Sequence, residues 1–426
     1  MDRVSVLTKE RIGQPVSAQR SRADVGLARG RVGDLLKEPL NAETTVELAL
    51  LNNRGLQAQL GNLGLAEADL VDAGRPSGPQ LSLGRLAGGG TLEIERSVLF
   101  NVLGLLTMPS ESRIARSQFE RAQLQAASDV VDAATRAREA FYEAVAAEQL
   151  ASFAQLVEES AQASSSLMAD MAKAGNVSKL DKMRQQAFSA DASSQLARAR
   201  HTATSGRERL VRALGLSGEQ AKQLKLPDRL PDLPTQLSER QDVEQAAMDQ
   251  RLDVVMAKRD VEATAQRLGL TRVTSMVNVL DAGWQNKSER GEPPKQGFQV
   301  QLQLPLFDFG SVARARAELQ YRQAFDSAAA KGVQAQSEVR ESYAAYRTAF
   351  DLARRYRDEI VPLRKQISDE NLLRYNGMLI DVFELLADAR EQVGAVTAAV
   401  EAQRDFWLAQ SRMQTALSGS SPDSHR

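Results

Sequence analysis

Few side chains in this 426-residue chain could do chemistry, and they are thinly spread. Two histidines, His201 and His425, lie far apart, the second in a polar tail, and the chain has no cysteine. That inventory gives no basis for a histidine-based triad, a thiolate nucleophile or a thiolate metal site. The run Gly88-Gly89-Gly90 is not followed by the Lys-Ser/Thr of a phosphate loop, so it reads as a turn rather than a nucleotide site. Met168, Met171, Met183 and Met378 flank the glycines at 175 and 377. Thioether sulfur suits soft ions such as Cu(I), which makes Met168, Met171 and Met183 weak metal candidates, but methionine more commonly fills gaps between packed helices. Asp381 and Glu384 stand three residues apart just beyond Gly377, a spacing that puts both carboxylates on one helical face. Ser178 and Asp181, just beyond Gly175, are their weaker counterpart. The expected protein is not an enzyme and carries no cofactor.

Composition narrows the partners. With 54 basic and 55 acidic residues the net charge is −1, so neither nucleic acid nor an acidic membrane surface is implied. Aromatics make up only 5% and alanine is abundant, which favours close helix-on-helix packing. No run of about 18 apolar residues occurs, so no transmembrane helix is encoded. Met1-Asp2-Arg3-Val4 has no apolar stretch of the signal-peptide kind. Taken with the strand pattern below, the expectation is a mature chain whose export signal has been removed.

The elements that must position these residues come in two copies. Arg138-Glu139-Ala140-Phe141 recurs as Arg340-Glu341-Ser342-Tyr343, Gly175 as Gly377 and Ala213-Leu214 as Ala416-Leu417; the offsets are 340 − 138 = 202, 377 − 175 = 202 and 416 − 213 = 203. A period that long implies duplication of half a domain rather than a solenoid repeat. Residues 1–40 read as a polar, irregular extension. The first copy covers 41–216: a helix over 44–73, a hairpin over 79–99, and long helices over 110–174 and 180–214 that meet at Gly175-Asn176. A Pro-rich linker covers 217–240. The second copy covers 241–419: a helix over 243–267, a hairpin over 271–306, a helix over 312–375 and a final helix after the Asn376-Gly377 tip. Residues 420–426 form a tail. The predicted fold class is mainly α with a small antiparallel β part.

The strands carry the functional signal. Phe298, Val300, Leu302 and Leu304 alternate with Gln299, Gln301 and Gln303, so one face is apolar and the other is glutamine. Four strands cannot close a barrel, and helices this long and thin do not cover a sheet as a compact layer. Pooling strands from several chains would give a barrel with lipid outside and water inside, with Gln299, Gln301 and Gln303 facing the lumen. The alternative is a soluble sandwich whose apolar face is core.

At this point the chain resembles the TolC-like outer-membrane efflux factors, in their metal- and drug-efflux branch. The resemblance runs from about residue 40 to the C-terminus. It rests on Gln303-Leu304-Pro305-Leu306-Phe307-Asp308-Phe309-Gly310, the paired Arg-Glu-x-aromatic motif, Tyr375-Asn376-Gly377 ahead of Glu384-Leu385-Leu386-Ala387-Asp388-Ala389-Arg390, and the two Ala-Leu endings. It implies a homotrimer with a β-barrel, four strands per chain, and a long α-helical coiled-coil tunnel. Implied partners are a periplasmic adaptor, an inner-membrane pump driven by protons, and outer-membrane lipid. The implied location is the outer membrane of a Gram-negative bacterium, with the helices in the periplasm. The implied function is the passive exit duct of a tripartite efflux system for small toxic compounds or metal ions. Asp381 and Glu384 would then face the threefold axis as rings of like charge and gate the duct for cations. A type I protein-secretion duct shares the fold, and a soluble elongated coiled-coil scaffold is the reading from another class. The family usually opens each copy with Asn-Pro or Arg-Pro, where this chain has Asn53-Arg54 and Arg251-Leu252.

Overall fold

The computed structural model describes residues 1–88, 91–175, 177–237, 242–277, 279–305 and 307–419. The described chain is mostly helical, with one four-stranded sheet. It divides into two compact units. One comprises 1–58, 127–251 and 335–426; the other comprises 59–126 and 252–334 and holds the sheet.

The N-terminal extension, read as irregular, folds into two helices, α1 (Asp2–Ile12) and α2 (Arg22–Leu35). Val4, Thr8 and Ile12 are buried at one-turn spacing along α1. Ser21 and Asp24 form a reciprocal capping box that starts α2. Arg11 ties the extension down: its Nε donates to the Ser418 carbonyl at 3.0 Å and its Nη2 to the Gln250 carbonyl at 2.9 Å. Both carbonyls lie at helix C-termini, where a cation is favoured.

Periodicity predicts one helix over 44–73; the structure has two, α3 (Ala42–Asn52) and α4 (Arg54–Ala73). Asn53 makes the break, with an extended backbone (φ −71, ψ 108). Its side-chain amide donates to the Ala213 carbonyl at 2.9 Å, and its Oδ1 accepts from the Leu56 amide at 3.1 Å. The corresponding break in the second half separates α8 (Val243–Gln250) from α9 (Leu252–Thr274) at Arg251, again extended (φ −63, ψ 126). Arg251 is 0% exposed, and its guanidinium meets Glu338 at 2.8 Å. The chain therefore bends where the resembled family places proline, and does so by side-chain anchoring instead.

The strands are β1 (Gln80–Gly88), β2 (Thr91–Asn101), β3 (Val279–Glu289) and β4 (Lys295–Gln303), antiparallel in the order β1-β2-β3-β4. The second hairpin thus starts at 279 rather than 271. Val273 and Val277 satisfy helical as well as alternating spacing, and α9 runs on to Thr274, whose hydroxyl bonds back to the Leu270 carbonyl at 3.0 Å. Gly283 is needed where it lies, because a Cβ there would stand 1.8 Å from the Val98 carbonyl oxygen of the neighbouring strand.

From β2 the chain enters α5 (Val102–Lys173), 72 residues long. It starts eight residues before the predicted 110 because Asn101 Oδ1 accepts the Gly104 amide at 2.6 Å as an N-terminal cap. Pro109 is accommodated within the helix. α6 (Lys179–Leu214) follows, then α7 (Glu219–Gln223) inside the Pro-rich segment. The helix predicted over 312–375 is interrupted: α10 (Ser311–Arg355) passes into a π-helical turn, Tyr356–Ile360, before α11 (Val361–Asn376). The Val361 amide reaches back to the Tyr356 carbonyl. Pro362 lacks the N–H that would bond Asp358, and the widened turn relieves its ring. The last helix is α12 (Val382–Ser418).

The core of the larger unit is aromatic at its centre. Tyr142 stacks on Trp407 at 5.3 Å, Trp407 meets Phe406 edge-on at 5.1 Å, and Phe406 packs on Tyr346 and Phe350 at 5.6 and 5.7 Å. Burial pushes the Tyr142 phenol up to about 12. The repeated Arg-Glu motif borders this core: Glu139 binds Arg412 at 2.8 Å, and Arg340 faces Glu244 at 3.6 Å.

Candidate functional site: a two-faced sheet and two helix tips

Strand register sorts the sheet into two chemically distinct faces. Gln299, Gln301 and Gln303 pair with Gly283, Asp281 and Val279. Following those pairs across the sheet places Gln285, Lys287, Ser97, Glu95, Glu93 and Ser82 on the same side. Lys287 ion-pairs there with Glu93 and, at 3.7 Å, with Glu95. The opposite side carries Leu81, Leu83, Ile94, Val98, Phe100, Trp284, Phe298, Val300 and Leu302. Most of it is bare: Phe298 is 94% exposed and Leu83 81%. β1 and β4 each have one unpaired edge. In one chain, then, the sheet presents a wide apolar face to nothing, beside two strands open to further pairing.

The two helix tips differ. At the first, Gly175 has φ +80, the left-handed conformation that ends a helix most easily at glycine. Asn176, named with it as a tip residue, lies outside the described residues. At the second tip the left-handed residue is Met378 (φ 55), whereas Gly377 has φ −81. The Leu379 amide reaches the Arg374 carbonyl at 2.9 Å and the Met378 amide the Tyr375 carbonyl at 3.0 Å, a Schellman closure with Met378 in the position glycine usually fills. Gly377 stands one residue too early to carry the turn.

Asp381 is the N-cap of α12, its Oδ1 accepting from the Phe383 and Glu384 amides, both at 2.9 Å. Ser178 caps α6 in the same way through the Asp181 amide at 3.2 Å. The three-residue spacing of both pairs is thus that of an N-cap and the third helical position, which capping alone would select. Asp381 and Glu384 are exposed in the single chain. Of the methionines, Met168 is buried, Met171 half-buried, Met183 exposed and Met378 93% exposed.

Two further residues stand out in the structure. Gln185 Oε1 and Asp388 Oδ2 are buried without a hydrogen-bond partner in the single chain. They occupy corresponding places on α6 and α12, 388 − 185 = 203 residues apart. Near them the Arg390 guanidinium lies over the Phe188 ring at 4.3 Å. The offset was available from the repeat, but burial of a polar side chain in a polar helix leaves no periodic signal.

Among solved structures the fold is well represented. The outer-membrane channel OprN superimposes with a TM-score of 0.74 at 18% identity, covering 97% of this chain and 95% of that one. The CmeC outer-membrane channel of Campylobacter jejuni gives 0.71 at 14% identity, over 94% and 87%. CusC gives 0.73 at 16% identity, over 89% and 92%. The chain has the fold of these channel proteins, as the motif resemblance predicts. Neither the protein-family models nor the curated proteins match this chain.

Proposed function

We infer that the chain is the exit duct of a tripartite efflux system in the outer membrane, passive and without catalysis. The observation that carries this reading is the sheet, whose exposed apolar face and polar opposite face suit a barrel wall between lipid and water. Two open strand edges suit closure by copies of the same chain. At four strands each, three copies supply about twelve, enough to surround a water-filled lumen. Gln299, Gln301 and Gln303 line that lumen, and the helices stand in the periplasm. A periplasmic adaptor and an inner-membrane pump deliver the substrate, a small toxic compound or metal ion. A soluble scaffold has no use for a bare apolar sheet face, which disfavours that alternative.

Asp381 and Glu384 would gate this duct, with six carboxylates per trimer at the helix tips. Capping does not compete with the role, since both cap hydrogen bonds of Asp381 fall on the one oxygen Oδ1.

The test is made on the protein reconstituted from mild detergent into planar bilayers. Native mass spectrometry should show a trimer. Gln301→Arg should alter conductance, whereas Leu302→Arg should impair assembly by about 2–4 kcal/mol. Asp381→Asn with Glu384→Gln should lower cation selectivity. A stable monomer with an intact sheet, or equal assembly defects from both arginines, overturns the duct; unchanged selectivity with normal trimer yield overturns the gate alone.

A further inference from the structure

The apolar face of the sheet is not uniform, and its single irregularity is chemically consistent. Paired residues form rows across the strands. The row Leu81, Val98, Trp284, Phe298 is wholly apolar and ends in two aromatics. The next row toward the hairpin turns is Leu83, Arg96, Asn286, Gln296, and in the row after that Arg85 faces Ile94. Two arginines therefore appear on this face, both exposed, immediately past a wholly apolar row. Every acidic residue of the four strands, namely Glu93, Glu95, Asp281 and Glu289, lies on the other face, as do Lys287 and Lys295. Within the strands no carboxylate shares a face with Arg85 or Arg96.

The pair has the geometry of a site. Arg85 and Arg96 are diagonal neighbours on adjacent strands, a spacing of about 7–8 Å between such residues. Each guanidinium alternates with an aliphatic neighbour, Leu83 or Ile94, along which its stem can lie. Arg96 Nη1 also donates to Oδ1 of Asn286, at 3.4 Å, and Asn286 is itself 6% exposed, so one fork has a fixed support on the neighbouring strand. Two planar forks with no carboxylate opposite them match a tetrahedral, multiply charged oxyanion whose carrier is apolar below the charge. An apolar row holding two aromatics, followed by cations, is also the order met on leaving hydrocarbon for headgroups.

We propose that Arg85 and Arg96 form a binding site for the phosphate of an anionic membrane lipid in the leaflet at the hairpin end of the sheet, with its acyl chains lying on Leu81, Val98 and Phe298. The site rests on the reading of the sheet as a lipid-facing barrel wall. In a trimer it would occur three times, anchoring the depth of the barrel where its loops emerge.

The experiment uses the full chain in detergent micelles, titrated with a diphosphorylated glucosamine glycolipid or with the same lipid stripped of phosphate, and reads bound lipid by native mass spectrometry. The intact protein should retain the phosphorylated lipid preferentially. Arg85→Gln with Arg96→Gln should weaken its retention about 30-fold, the effect of removing two interfacial arginines from an anionic headgroup. Lys295→Gln, which removes a cation from the opposite face, should leave retention unchanged. Millimolar inorganic phosphate should not displace the lipid, because phosphate alone makes no contact with the apolar rows. Equal retention of both lipids by the intact protein overturns the site, as does displacement by phosphate or an unaffected double variant. A chain that recruits no detergent and does not enter vesicles fails at the duct reading instead, so the two failures are told apart.

Discussion

Asn53 and Arg251 do the same work in the two halves of the chain with opposite chemistry. Each holds an extended residue between two helices, at a point where proline would have enforced the break through its own covalent ring. Asn53 does it with a neutral amide bonded to the Ala213 carbonyl and the Leu56 amide. Arg251 does it with a fully buried cation that meets Glu338 and, at 3.5 Å, the carbonyls of Ala335 and Ala416. A backbone bend can therefore be held without a proline, provided a side chain reaches a partner far along the chain. The difference lies in what failure costs. Loss of the amide removes two hydrogen bonds, while loss of the arginine leaves a carboxylate without its ion-pair partner in a largely buried setting.

The comparison is broken most forcefully at Arg251. Arg251→Met should destabilise the larger unit by about 3–5 kcal/mol, seen as a lower thermal midpoint of the helical circular dichroism in detergent. Adding Glu338→Met should recover most of that loss, because the charge that was stranded is then gone. If the single variant melts with the parent protein, the buried ion pair does not hold the break. Asn53→Ala is the milder case, expected to cost about 1–2 kcal/mol as loss of a capping and carbonyl-bonding side chain. A larger loss at Asn53 than at Arg251 would reverse the ordering argued above.

Legibility in the sequence followed the range of the interactions. Alternation at 80–83 and 92–95 around the glycines at 88–90 marks the first hairpin, and alternation at 298–304 after a polar loop marks the second, since strand period and turn chemistry are local. The long helices were equally plain. Two signals were present but unread: Ser21-x-x-Asp24 marks the start of α2, and Asp381-x-x-Glu384 has the spacing of a cap as well as that of a charged face. Pro362 was visible too, yet periodicity carried the helix across it. What could not be read was tertiary. The partner of Asn53 is 160 positions away and that of Arg251 is 87 away, so no window on the sequence contains the cause of either break. The placing of Arg96 on the face of Phe298 and Val300 likewise needed the pairing register, because the alternation of Leu92, Ile94 and Arg96 does not say which residues of the other strands share their side.

The smallest effect is expected at the tips, where the same comparison between halves can be sharpened. Gly175 has φ +80 and nothing within 4 Å of where a Cβ would stand, so only its backbone geometry opposes a side chain. Gly175→Ala should therefore cost about 1–2 kcal/mol of local stability, the penalty for a left-handed alanine. Gly377 has φ −81 and pays no such penalty, so Gly377→Ala should be close to neutral. Met378 is the residue that bears the strain, at φ 55, and its side chain is too exposed to recover it through packing. Met378→Gly should accordingly tighten the closure by up to about 1 kcal/mol, the left-handed penalty less the greater chain entropy of glycine. Hydrogen exchange at the Leu379 amide, which bonds the Arg374 carbonyl, reads this directly: protection should rise in Met378→Gly and change little in Gly377→Ala. Loss of protection in Met378→Gly would mean that the methionine side chain, rather than the backbone, secures the tip, and would make that position a contact surface instead of a strained turn.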